Sequence, residues 1–354
     1  MVRTRRLLLT FLCGLLLVGT AGAARADAAS HRQRHLTVAT YNLYLGANLT
    51  PIYQSTTQAQ MVQRAGEAFA HVKQVDFPSR AEAIAKLIAR HPAEVLGLQE
   101  VAKWESGPIG GDLTTTVDYL PVLLTALARH GQFYYPASVS TNFSGTMPIS
   151  ATEQAKFTDH DVILVRWWPA GPRLRAHAAG DYDAKLVIPS PTGVTFTVPR
   201  GWTTADVTVR GRTVRIAETH LEAYSKPIRD SQAAELRARL AGSPYPVVLA
   251  GDVNSPPTDT TGPYGQLIGD GYADGWVTVH GPDGGFTAGQ TDDLDNVPSR
   301  IDHRIDYVFT RGTAAVPVAA DQATVIGDQL ADRTPGGLWP SDHAGVVVRV
   351  RIGR

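Results

Sequence analysis

Hydrophobic and polar positions along the chain switch between a two-residue and a helical period, and the switches mark out the elements. Leu36-Thr37-Val38-Ala39-Thr40-Tyr41 reads as a strand. An alanine-rich stretch over 59–75 reads as a helix. A stronger helix follows, with Ser79 as its cap, Ala83, Ile84, Leu87 and Ile88 at helical spacing, and Pro92 beyond its end. Val95-Leu96-Gly97-Leu98 is a short buried strand, and 117–129 is a further helix. Strands then dominate, at 134–139, 162–166, 196–198, 205–209 and 214–219, with Gly211 in the turn between the last two. A helix over 230–240 precedes the apolar strand 247–250, and strands return at 305–309, 323–326 and 346–352. Helices set between groups of alternating strands predict an α/β (α+β) fold of stacked sheets flanked by helices, not a simple doubly wound sheet. No repeat and no Pro- or Gly-rich linker divides the pattern, so one domain is expected.

The N-terminus breaks this pattern. Arg3, Arg5 and Arg6 precede an apolar run over 7–18, and Ala24-Arg25-Ala26 has the small-x-small form of a cleavage site. This is the layout of a secretory signal peptide over 1–26, which leaves 27–354 as the working domain and predicts a secreted, extracellular protein. The apolar run is short for a bilayer, so no stable membrane span is expected. The flanks of Arg5-Arg6 match a twin-arginine signal poorly. Cys13, the single cysteine, lies inside the signal. Without it the chain has no disulfide, no thiolate zinc site and no cysteine nucleophile.

Composition then narrows the partners. With 43% hydrophobic and 19% charged residues the chain is that of a folded protein. Its 33 basic and 33 acidic residues balance, but the signal segment holds four arginines and no acid. Removing them leaves 29 basic against 33 acidic residues, a net charge of −4. No long Lys/Arg cluster is present, which argues against general high-affinity binding to nucleic acid.

Polar residues close apolar strands in six places: Tyr41-Asn42-Leu43, Leu98-Gln99-Glu100-Val101, Glu218-Thr219-His220-Leu221, Gly251-Asp252-Val253-Asn254-Ser255, Arg304-Ile305-Asp306-Tyr307 and Ser341-Asp342-His343. Such strand ends collect active-site groups. Glu100 is a hard oxygen ligand suited to Mg²⁺, and Asn42 adds a neutral oxygen. Asp252 and Asn254 stand two apart, so in an extended segment both point to one side. His220 and His343 offer donors to a phosphate or a proton-transfer pair, and Asp306 is placed to orient one of them. Each piece alone is weak, since strand-end acids are commonly solvated turn residues.

As an ordered set from about Thr37 to Val348, these motifs resemble the endonuclease/exonuclease/phosphatase superfamily, which includes DNase I, exonuclease III, inositol-polyphosphate 5-phosphatases and sphingomyelinases. The resemblance implies a four-layer sandwich of two packed mixed β-sheets flanked by helices. It implies hydrolysis of a phosphate ester, as a phosphodiesterase, with Mg²⁺ (Mn²⁺ or Ca²⁺ as alternatives). Carried over by position, Glu100 is the principal metal ligand, Asn42 lies close to metal and phosphate, and Asp342 belongs to a second metal position. Asp252 orients or deprotonates the attacking water, and Asn254 holds a phosphate oxygen. His343 contacts the phosphate with Asp306 behind it, and His220 is the second histidine. The implied substrate is a phospholipid, a nucleic acid or an inositol phosphate, and the expected state is a monomer. Leu98-Gln99-Glu100-Val101 stands closer to the general superfamily form than to the sphingomyelinase form. The alternative is a non-catalytic secreted binding protein on the same fold, for which a missing core residue would argue; every matched position is filled.

Several segments fall outside the set. Asp159-His160-Asp161 reads as a turn before a strand, because neighbouring strand residues face opposite ways and cannot all grip one ion. Arg200-Gly201-Trp202 reads as a structural turn, and Trp167-Trp168 as packing in preference to a membrane wedge. Leu338-Trp339 either contacts an apolar part of the substrate or buttresses the loop before Ser341. Asn48-Leu49-Thr50 and Asn142-Phe143-Ser144 match the glycosylation triplet, a pattern with a high chance rate.

Overall fold

The structure, a computed structural model, describes residues 34–353; residues 1–26, expected to be a signal, lie outside the described residues together with Cys13. In chain order the strands are β1 (Arg34–Asn42), β2 (Val95–Gln99), β3 (Lys103–Pro108), β4 (Thr114–Asp118), β5 (Tyr134–Pro148), β6 (Glu153–Arg166), β7 (Arg173–Asp181), β8 (Leu186–Pro189), β9 (Thr195–Val198), β10 (Gly201–Val209), β11 (Arg212–His220), β12 (Val247–Asp252), β13 (Ala273–Asp274), β14 (Asp306–Arg311), β15 (Val318–Ile326) and β16 (Gly345–Ile352). The helices are α1 (Thr50–Tyr53), α2 (Gln58–Gln74), α3 (Phe77–Arg90), α4 (Tyr119–Arg129), α5 (Lys226–Ala241), α6 (Pro263–Gly269) and α7 (Gly275–His280).

One mixed sheet runs β15-β16-β1-β2-β6-β3-β4, with β5 also paired to β6; a second runs β13-β14-β12-β11-β10-β7. β1 and β2 are parallel, as are β11 and β12, while β6 and β14 run against their neighbours. Strand alternation sorts the side chains into layers. Leu36, Val38, Val95, Ile163 and Val165 of the first sheet meet Val207, Ile216, Val248, Ala250 and Val308 of the second in a core between the sheets. The opposite face of the first sheet, including Tyr41, Leu96 and Leu98, packs on Phe69, Ile84, Leu87 and Leu123 of α2–α4. Ala217, Leu249 and Phe309 on the far face of the second sheet pack on Leu236, Leu240 and Leu267 of α5 and α6. The result is the expected four-layer α/β sandwich. Among the described residues no helix is long and apolar enough to cross a membrane.

Three boundaries differ from the pattern reading, each for a physical reason. Helix α3 begins at Phe77 with Asp76 at its cap, so Ser79 lies inside the first turn and caps nothing. Pro78 tolerates that turn because a first-turn N–H needs no helical partner. Helix α4 begins at Tyr119, because Val117 is spent pairing with Trp104 in the β3–β4 ladder. The strands read at 134–139 and 162–166 are the base of a hairpin that continues to Pro148 and Glu153. Its outer part carries Ser140, Thr141, Asn142, Lys156 and Thr158, so backbone pairing extends where apolar alternation stops.

Candidate active site

The alternation that builds the intersheet core also aims the site. Asn42 shares its parity with Val38, His220 with Ile216, Asp252 with Val248 and Ala250, and Asp306 with Val308. At the C-terminal ends of β1, β11 and β12 the intersheet space therefore changes from apolar to polar, and it opens into a cleft of about 300 Å³. Asn42, Glu100, His220, Asp252, Asn254, Asp342 and His343 all line it. Asp306 stands behind them, buried against His343. The eight positions singled out from six distant segments thus meet at one place.

One half of the cleft is a hydrogen-bonded relay. Asp306 Oδ2 lies 2.8 Å from His343 Nδ1, and the Asp306 amide donates to Thr287 Oγ1 at 3.2 Å. This leaves His343 Nε2 facing Asp252 Oδ2 at 3.9 Å. His220 Nε2 approaches the same oxygen at 3.6 Å. Asp252 Oδ2 accepts from Asn42 Nδ2 at 3.2 Å, and Oδ1 accepts from the Asn254 amide at 3.0 Å. Among the described residues Asp252, Asp306 and His343 present ligand-type atoms within 4.8 Å of one another. Asp306 and His343 share a hydrogen, whereas Asp252 stands beyond hydrogen-bond distance of the ring.

Electrostatics give the two histidines different states. Burial alone would lower the His343 pKa, but the Asp306 and Asp342 carboxylates outweigh it and hold the ring well above the usual histidine range, as an imidazolium. Burial, with Arg200 and His343 nearby, pushes His220 well below that range, so its ring is neutral. Arg200 Nη1 lies 2.9 Å from His220 Nδ1. A guanidinium only donates, so Nδ1 must accept and the ring hydrogen sits on Nε2, toward Asp252. Burial and the neighbouring Asp306 push the Asp252 carboxyl up to about 7.

The other half of the cleft is acid-rich. Glu100 follows β2 in a left-handed conformation with φ 54°, and its Oε2 accepts from the Leu45 amide at 2.6 Å. Its Oε1 accepts from Asn42 Nδ2 at 3.3 Å. Burial, then Asp342 and Asp159, push the Glu100 carboxyl up to about 7. Burial also raises Asp342 and Asp159. Asp159 Oδ1 is buried without a hydrogen-bond partner. Three buried carboxylates of raised pKa could serve as donors to a hard divalent cation, but the oxygen expected from Asn42 is turned away: its Nδ2 faces Glu100 and its Oδ1 accepts from the Tyr44 amide at 3.0 Å.

The loops carrying this half are tied together by Arg80, fully buried on α3. Its guanidinium donates to the carbonyls of Leu43 (2.7 Å), Tyr44 (3.2 Å), Val75 (2.8 Å) and Pro340 (3.0 Å), and to Tyr119 Oη (3.2 Å). Ser341 Oγ then donates to the Asn42 carbonyl at 2.7 Å. The end of β1 and the Asp342-His343 segment are therefore held by one network. Trp339, completely buried with Tyr44, Val75 and Leu294, buttresses that segment and does not line the cleft.

Five expectations need correction. Asn254 does not continue an extended segment: its φ is 49°, and its Nδ2 donates to the Leu221 carbonyl at 2.9 Å while the residue still lines the cleft. Asp159-His160-Asp161 is strand, not turn, and lies within β6. Asp159 and Asp161 share the inward parity of Ile163 and Val165, whereas His160 turns away to the Val101 carbonyl. Arg200 is a cleft residue, missed because a lone Arg after a proline carries no strand signal. Asn142 is buried with its amide 3.4 Å from Asp159, which removes it as a glycan acceptor. Trp167 is exposed where packing was expected, because the strand ends one residue earlier at Arg166.

The same fold occurs in solved structures. An endonuclease/exonuclease/phosphatase family protein from Bacteroides thetaiotaomicron is 17% identical, with a TM-score of 0.58 over 92% of this chain and 100% of that one. A mannosyl-6-phosphatase from the same organism is 18% identical, with a TM-score of 0.53 over 90% and 100%. TDP2 of D. rerio, complexed with a single-strand DNA product, is 16% identical, with a TM-score of 0.51 over 90% and 99%. No curated protein matches the chain. The model of the Endonuclease/Exonuclease/phosphatase family matches residues 39–343, a span that starts within β1 and ends on His343. On that match the chain belongs to the endonuclease/exonuclease/phosphatase family.

Proposed function

We propose that this protein is an exported, divalent-metal-dependent phosphodiesterase, with residues 1–26 as its export signal and 27–354 as a single catalytic domain. The observation that carries the reading is the convergence on one cleft of a histidine–carboxylate relay and an acid-rich half suited to a hard cation. Glu100 and Asp342 would hold Mg²⁺, or Mn²⁺ or Ca²⁺ in its place; when bound, the cation neutralises phosphate oxygens and the charge that develops on the leaving alkoxide.

The chain's own residues supply the rest. Asp252, held near the pH at which a carboxylate both binds and releases protons, accepts the proton of the attacking water. Protonated His343, fixed by Asp306, donates from Nε2 to a phosphate oxygen. Asn254 uses one amide hydrogen on Leu221 and keeps the other for the phosphate. Neutral His220, held by Arg200, donates from Nε2 without adding charge.

The test is hydrolysis of bis(p-nitrophenyl) phosphate by the purified protein. Turnover with Mg²⁺ that disappears in chelator, and in His343→Ala with cation binding intact, supports the reading. Turnover that persists in chelator or in Glu100→Ala overturns the metal requirement. For export, an N-terminus at Asp27 in the culture medium is the expected product; uncleaved chain retained in cells counts against it.

A further inference from the structure

The cleft has an apolar wall that the chemistry above does not use, formed by Leu49, Tyr53, Phe143, Phe157, Ile188 and Val198. A second hollow of about 270 Å³ shares four of these residues, Leu49, Tyr53, Phe143 and Phe157, and among the described residues no charged side chain lines it. Ala65 and Ala68 of α2 give it room, and Trp104, Met147 and Phe196 close it. The two hollows have a common roof. β8 and β9 form a separate two-stranded sheet in which Ile188 pairs with Phe196. Phe196 and Val198 stand two apart, so Ile188, Phe196 and Val198 lie on one face of that hairpin. Ile188 and Val198 cover the cleft, while Phe196 covers the second hollow. The hairpin rests on the α1–α2 segment through the Tyr53–Phe196 ring contact at 4.8 Å and two long hydrogen bonds, Ser190 Oγ to Ser55 O at 3.3 Å and Gln58 Nε2 to Thr192 O at 3.4 Å.

We propose that this chamber takes an aliphatic chain of the substrate, so that the ester cleaved is an amphiphilic phosphodiester bound as a single molecule. The proposal rests on the phosphodiesterase reading of the adjoining cleft. A roof with one apolar face over both hollows gives an alkyl substituent a continuous dry surface leading from the phosphate. The charge distribution agrees. Among the described residues Arg200 is the one Lys or Arg side chain lining the cleft and none lines the chamber, so a polyanion finds a single cationic partner there.

The test uses methyl, butyl, hexyl and octyl p-nitrophenyl phosphate below their aggregation concentrations, with the full-length protein and Mg²⁺. KM is expected to fall about three- to fourfold for each added methylene, the usual gain on burying a CH₂, and then to level off when the chamber is full. Ala68→Phe, which fills the chamber, and Phe196→Ser, which opens its roof, are each expected to flatten this dependence within their own ester series. In parallel, n-octyl phosphonate binding is measured by calorimetry, which needs no turnover. Hydrolysis with a KM indifferent to chain length overturns the chamber and leaves the phosphodiesterase reading intact. Octyl phosphonate binding that Ala68→Phe abolishes, without hydrolysis of any ester, sustains the chamber and overturns the phosphodiesterase reading. Neither binding nor hydrolysis overturns both.

Discussion

The two halves of the cleft use the same residue types in opposite electrostatic arrangements. On the relay side each acid has a cationic or N–H partner: Asp306 has His343, and Asp252 has Asn42 and the Asn254 amide. On the other side burial raises Glu100, Asp342 and Asp159 alike, and the charges of Asp342 and Asp159 push Glu100 up further. The difference lies in the sign of what surrounds the acids: a protonated ring faces those of the first half, whereas burial and like charges hold Glu100 up in the second. Charge balance therefore separates the two halves more clearly than residue identity does.

Substitutions can break that contrast. The largest effect is expected at the relay: Asp252→Asn or His343→Ala should lower kcat about a hundredfold to ten-thousandfold, the usual range for an acid–base group, with a small change in KM. Steady-state kinetics decides it, and a raised KM with kcat unchanged would show that these residues bind and do not move protons. Next, removing one acid should act with opposite signs in the two halves. Glu100→Gln relieves repulsion, so the chelated protein at pH 8 should melt higher while it loses cation affinity. Asp306→Asn deprives a buried imidazolium of its partner and should melt lower. Calorimetry on both variants tests the pair, and a common sign would erase the distinction.

The pH dependence follows from the same shifts. Glu100 rises from 4.5 to about 7 on folding, so the folded chain holds more protons than the unfolded one in that interval. Its contribution makes the chelated protein less stable as pH rises through the interval, and cation binding correspondingly tightens with pH until about 7. Titration calorimetry in buffers of different ionisation enthalpy should detect proton release on Mg²⁺ binding at pH 6 and little at pH 8.5. The smallest effect is at Arg200. Arg200→Met frees the ring of His220 to take either tautomer, and about a tenfold loss of kcat is expected. Nitrogen NMR of the ring gives an independent check: an unchanged Nε2–H tautomer in the variant would remove Arg200 from this role.

Much of this was legible in the sequence where apolar alternation ran up to a polar residue. Val248, Ala250 and Asp252 occupy one face of β12, and Ile216 and His220 share a face of β11, so strand pattern and chemistry pointed the same way. Asp159 was hidden because a buried acid breaks the apolar alternation between Phe157 and Ile163 of β6, where the sequence reads as a turn. Arg200 was hidden because it precedes β10 and gains its meaning from His220, twenty residues away in sequence and next to it in space. The start of α3 was misplaced because a proline in the first turn replaces the side-chain cap that a serine usually announces.

Arg80 gives the acid-rich side of the cleft an all-or-none character. It sits on a helix of the outer layer, yet four carbonyls from three separate segments share its guanidinium. If any of those segments peeled away alone, hydrogen bonds of a buried charge would be left unmade, a cost no local gain in chain freedom offsets. Fluctuations that open this side must therefore wait for α3 to open as well. Slow amide exchange is expected to extend from the helix into the loops around Leu43 and Ser341, although loops of such composition usually exchange fast. The cleft then has no half-assembled form in which a cation could settle on a loosened Glu100 without Asp342 in place.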